Sequence, residues 1–169
     1  MDIKDLKTIL WQQLGASIDM LERAMQACPD DLWGDQKREP QFWYSAYHTL
    51  FFLDFYLSDS FEDFIPPAPF TLSELDPSGV MPERVYTKEE LQIYLDHCRK
   101  KCKTAIETLS DENADQRIKY GRVDISRAEL FLYKARHVQH HAAQLNLILR
   151  QKGESPPRWV VKAKTGLNE

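Results

Sequence analysis

The chain has 169 residues, enough for one domain with a sizeable core, and its 43% hydrophobic and 28% charged residues are ordinary for a globular protein. A net charge of -4, with no Lys/Arg stripe among exposed aromatics, argues against a nucleic-acid partner. The acidic start MDIKDLKTIL is unlike a signal peptide, and no apolar run approaches the roughly eighteen residues that cross a bilayer, so no membrane partner is expected. Three cysteines, an odd number, do not make a secreted disulfide framework, and a cytoplasmic location is the expectation.

Residues 2–28 form an expected first helix, with Ile3, Leu6, Leu10, Leu14, Ile18, Leu21, Met25 and Cys28 at the three-or-four spacing of one buried stripe. Pro29 stops it, and PDDLWGDQKRE reads as a connector with at most a short turn. A second helix is expected from about residue 40 to 60, with Pro40 in its first turn and Tyr44, His48, Phe51, Phe52 and Phe55 along one apolar face. Residues 61–86 are proline-rich and read as a loop, long enough to suggest a functional one.

Thr87 followed by Glu90 makes a capping box that opens a third helix to about residue 109, striped by Leu91, Tyr94, Leu95, Cys98, Cys102, Ala105, Ile106 and Leu109. Residues 110–125 are polar and close on a short strand-like or irregular piece, YGRVDI. Ser126 followed by Glu129 opens a fourth helix to about residue 152, with Gly153 as its C-terminal cap. Its inward stripe reads Leu130, Tyr133, His137, His141, Leu145, Ile148. The tail, residues 154–169, is expected to be extended. The prediction is an all-α four-helix bundle in one domain, residues 1–169.

Helix positions i and i+4 lie one above the other, so His137 and His141 can aim both imidazoles at one point. With five histidines in the chain, that pair alone is a weak motif. It gains weight from His48 on a second inward face, because burying three imidazoles without a shared purpose is costly. Imidazole is a common ligand for zinc and related metals, and three protein ligands leave a position open for water or substrate. His140 points about 100° away from His141 and is left out of the site; His97 falls beside an apolar stripe and is expected in solvent.

Cys98 and Cys102 sit in a hydrophobic stripe and are expected to act as small core residues. Tyr44 and Tyr133 each precede a proposed ligand by four residues and are candidates to bind a substrate or donate a proton. Gln144, three residues after His141, is a candidate to fix an imidazole tautomer. No carboxylate adjoins the three histidines in sequence, so no general base and no catalytic residue is assigned. The loop 61–86 and the tail around Trp159 are candidates to shape the pocket mouth. The ExxH pairs of di-iron bundles, HExxH, glycine-rich phosphate loops and GxSxG are all missing.

A histidine in an aromatic second helix (SAYHTLFF), followed by HVQHHAAQ in the last helix, resembles the DinB family of DinB/YfiT-like metalloenzymes. The likeness extends over nearly the whole chain in helix order and loop placement. The family often carries Arg-Gly where this chain has Ala142 and Ala143. The resemblance implies a four-helix bundle, often a homodimer, with a divalent metal (Zn2+ or Ni2+) on His48, His137 and His141. It also implies thiol-dependent chemistry, since some relatives transfer low-molecular-weight thiols such as bacillithiol, and mycothiol-dependent maleylpyruvate isomerases share the fold. Two functions follow as expectations: a metal-dependent thiol S-transferase or hydrolase acting on a small molecule, or a non-catalytic, stress-associated metal- or small-molecule-binding protein.

Overall fold

In the computed structural model, which describes residues 2–58 and 60–168, the first helix starts where the Asp2 carboxylate accepts the Asp5 amide at 2.8 Å. It runs Ile3–Ala27 as α1. The connector holds more than a turn. Asp30–Trp33 is a short helix, α2, in which Leu32 and Trp33 are buried and Trp33 Nε1 donates to the Tyr86 carbonyl at 2.8 Å. That tertiary anchor leaves no periodicity for a sequence to show.

The second long helix, α3, spans Phe42–Phe55 and is shorter at both ends than expected. Neighbouring helices occupy its last carbonyls: Lys134 Nζ donates to that of Phe52 at 3.2 Å, and Lys101 Nζ to that of Asp54 at 2.9 Å. Two amines at the negative end of the helix add to the turn hydrogen bonds that the Tyr56 and Leu57 amides make to the same carbonyls, and favour the stop there. The loop that follows is long, as expected, with one 3-10 turn at Ser73–Leu75. It is pinned by aromatic packing. Phe70 stacks on Tyr94 at 4.3 Å and 17°, while Phe64 packs edge-on to Phe51. Each such buried side chain contributes on the order of 1.5–3 kcal/mol.

Both predicted capping boxes are present, Thr87 with Glu90 opening α4 (Lys88–Glu107) and Ser126 with Glu129 opening α5 (Arg127–Lys152). Gly153 ends α5 at φ 88°, in the left-handed region. Where one strand-like piece was expected, two strands pair antiparallel: β1 (Arg117–Tyr120) and β2 (Val123–Ser126), with Arg117 opposite Ser126. Gly121, at φ 54°, makes the tight turn. Arg117, Lys119 and Tyr120 of β1 are exposed, so no apolar alternation announced that strand.

α1 packs on α5 and α4, and α3 packs on α5 and α4, so the four long helices close a ring in the order α1, α5, α3, α4. The fold is all-α apart from the hairpin. Among the described residues no helix is long and apolar enough to cross a membrane.

The tail lies along α1. The Ala163 amide donates to the Gln12 carbonyl at 3.0 Å, Trp11 Nε1 to the Thr165 carbonyl at 2.9 Å, and the Lys164 amide to Asp19 Oδ2 at 2.8 Å. A Cβ on Gly15 would stand 2.6 Å from the Ala163 Cβ. Replacing a helical glycine by alanine ordinarily stabilises by up to about 1 kcal/mol. Gly15→Ala is expected to lower the Tm instead, because the tail must move away; a thermal melt showing a higher Tm would refute that tail contact.

Candidate metal centre

The α3–α5 contact brings the three histidines together. One ring nitrogen from each of His48, His137 and His141 lies within 4.8 Å of the other two, a grouping that could hold a metal ion. Ring centroids are 5.8 Å apart for His48 and His137, 5.0 Å for His48 and His141, and 4.7 Å for His137 and His141. His140 is exposed and outside the group.

The histidines sit at the edge of the core, a correction to the inward stripe expected for α5. Leu130, Leu145 and Ile148 of the predicted stripe are buried, but in its middle Tyr133, His137 and His141 are only partly so, and the row Lys134, Val138 and Ala142, one position on, is buried instead. That row contains a lysine, so an apolar pattern selects its neighbour. The group is partly open to solvent as a result, with the His48 side chain 31% exposed.

Electrostatics favour the form that binds metal. Burial, and then the charge of Lys134 and neighbouring histidines, pushes His137 down to about 3. Burial also pushes His141 down, against an opposing hydrogen bond to the Gln144 side-chain oxygen. A neutral imidazole is the ligating form. His137 Nδ1 is buried and has no hydrogen-bond partner among the described residues. An orphaned nitrogen on a ring grouped with two other imidazoles fits a divalent ion, and a borderline-soft one suits an all-nitrogen set.

Two of the rings are held from behind. His141 Nδ1 lies 2.8 Å from Gln144 Oε1, and His48 Nδ1 lies 2.7 Å from Glu74 Oε2. With Nδ1 engaged in each, Nε2 is the nitrogen left for the cluster. Sequence reasoning found no carboxylate here because Glu74 is 26 residues from His48. The Ser73–Leu75 turn delivers it, and the Tyr47 hydroxyl fixes that turn by donating to the Thr71 carbonyl at 2.9 Å. Loop length was the only signal in the sequence.

Tyr44 stands beside His48, ring centroids 6.3 Å apart, and burial followed by the Glu74 charge pushes its phenol up, so it stays protonated. Tyr133 lies with Tyr56, centroids 6.0 Å apart, and with Lys134 Nζ at 4.9 Å from its ring. His97 is half-exposed, with Nε2 3.4 Å from Asp54 Oδ1. Trp159 lines a groove between α1 and α5 with Gln13, Ala16, Arg136 and Gln139. Cys98 and Cys102 are free and buried, as the stripe predicted, and burial pushes the Cys102 thiol up to about 12. Neither supplies a thiolate at neutral pH.

The DinB superfamily model matches residues 13–145 of the chain. No curated protein matches it.

Proposed function

The chain belongs to the DinB superfamily, and from that premise we propose that it is a divalent-metal-dependent enzyme, a thiol S-transferase acting on a small molecule. The three-histidine group with one nitrogen per ring inside 4.8 Å carries this reading. His48, His137 and His141 would hold Zn2+ or Ni2+ and leave a coordination position open. A bound ion supplies Lewis acidity, lowering the pKa of a thiol or water so that a nucleophile exists at neutral pH.

The chain's own residues prepare that site. Glu74 and Gln144 orient two of the rings, and burial keeps His137 neutral. Phe52 packs against both His48 (4.9 Å) and His137 (6.3 Å) and limits water on that side. The Tyr44 phenol is kept protonated beside the Glu74 carboxylate, which places a donor near the site. With its own cysteines buried, the protein must take its thiol from outside, which favours a low-molecular-weight thiol as co-substrate.

Elemental analysis of the purified protein is expected to find one divalent ion per chain, and a thermal-shift screen to find low-molecular-weight thiols that raise the Tm only of the loaded protein. A protein free of metal, and equally stable with and without chelator, would sink the enzyme reading and leave the binding role.

A further inference from the structure

We propose that Glu74 is a positioning residue that fixes the tautomer of His48 and ties metal affinity to the docking of the loop over residues 61–86. This rests on the metal reading of the three histidines.

Glu74 Oε2 stands 2.7 Å from His48 Nδ1, and the Glu74 side chain is only 4% exposed. A carboxylate accepts and cannot donate, so the proton of a neutral His48 resides on Nδ1 and the Nε2 lone pair faces the other two histidines. Without that acceptor the two tautomers compete, and the ring is free to turn about its side-chain bonds.

The arrangement is incomplete by itself. Glu74 Oε1 is buried with no hydrogen-bond partner among the described residues. A buried carboxylate with one unmatched oxygen is costly to dock. A dication on the far side of the His48 ring offsets that charge through the imidazole. Metal binding therefore favours the docked loop, and by reciprocity the docked loop strengthens metal binding by the same factor.

The rest of the loop is suited to such coupling. Its aromatic anchors, Phe64, Phe70 and Tyr86, are buried, whereas Asp76, Pro77, Ser78, Gly79, Val80 and Met81, just after the Glu74 turn, are exposed. The turn itself is held to the bundle through the Tyr47 hydroxyl, 2.9 Å from the Thr71 carbonyl and 3.5 Å from Ser73 Oγ. The segment carrying Glu74 can open locally while the anchors keep the loop in place.

The test compares wild type, Glu74→Ala and Glu74→Gln in three measurements, with circular dichroism confirming equal helicity. In chelator competition with Zn2+ alone, Glu74→Ala is expected to bind about 10–100-fold more weakly, as loss of such outer partners typically does. Glu74→Gln, which keeps an acceptor oxygen without the charge, should fall between. Imidazole 15N NMR of the metal-free proteins is expected to show the Nδ1–H tautomer of His48 in wild type and a mixture in Glu74→Ala. Zn2+ should slow proteolysis of residues 76–84 in wild type and not in Glu74→Ala.

Equal Zn2+ affinity in wild type and Glu74→Ala, or an unchanged His48 tautomer, overturns the inference and leaves the metal centre standing. No Zn2+ uptake by wild type overturns the metal centre and with it the coupling. The tautomer of the metal-free protein then still reports separately on whether Glu74 sets His48.

Discussion

His137→Ala is expected to remove stoichiometric metal while leaving the bundle helical. The His137 ring lies 4.7 Å from that of His141 and 5.8 Å from that of His48, and its Nδ1 is buried with no hydrogen-bond partner among the described residues. Its loss leaves two ligands on different helices, and affinity should fall by more than the roughly 10–100-fold cost of losing an outer partner. Metal analysis after dialysis, alongside far-UV circular dichroism, makes the check; unchanged stoichiometry with unchanged helicity would falsify the assignment of the site.

The same substitution has a signature in the metal-free protein. His137 titrates near 3 in the fold and near its ordinary 6.5 in the unfolded chain. Its folded pKa is lowered, so between about 6.5 and about 3 the unfolded chain binds the extra proton. Stability from this group is full above about 6.5 and is lost as pH falls through that window, at up to about 1.4 kcal/mol per pH unit. Urea unfolding of the metal-free wild type at pH 7, 6 and 5 should show that decline. The decline should be shallower in His137→Ala.

Lys134→Met is expected to stabilise the protein at pH 7. Lys134 is fully buried, donates to the Phe52 carbonyl at 3.2 Å, and places Nζ 3.4 Å from the centre of the Tyr56 ring. Burial pulls its ammonium down to about 6 from an ordinary 10.5. Folding at pH 7 must therefore strip a proton, a cost of about 5 kcal/mol at about 1.4 kcal/mol per unit. Methionine removes that cost and loses the hydrogen bond to the Phe52 carbonyl, which keeps the Tyr56 amide at 3.4 Å, a loss of at most about 1–3 kcal/mol. The deprotonation cost is larger, so a net gain on the order of 2 kcal/mol follows.

The pH dependence gives a second reading of the same residue. The folded pKa is lowered, so wild-type stability from Lys134 rises from about pH 6 to about 10.5, and Lys134→Met should lack that rise. Urea melts at pH 7, 8 and 9 decide it; a variant less stable than wild type at pH 7 would mean that the contact closing α3 outweighs the buried amine. The neutral amine also suits the site. An ammonium one turn from His137 would repel a dication there.

Much of the architecture was legible in short-range chemistry. The two capping boxes at Thr87 and Ser126 and the left-handed Gly153 are local devices, and all three stand where the sequence put them. Stripes such as Leu91, Tyr94, Leu95, Cys98, Cys102 and Ile106 mark one buried face because helix geometry converts spacing into a side. The end of α3 was not legible, since Lys101 and Lys134 favour it from two other helices. The middle of the buried face of α5 was misplaced by one position for a related reason: Lys134 breaks the apolar pattern while lying inside it.

By itself the sequence determined that His137 and His141 share a helix face, and that His48 lies on another helix of an aromatic core, because helical spacing is a local property. Only the tertiary structure decided that the three nitrogens meet, that they meet at the edge of the core, and that Glu74 stands behind His48. Those outcomes depend on how α3 packs on α5 and on how a long loop folds back across the bundle. Contacts between residues 26 or more positions apart leave no period in the chain.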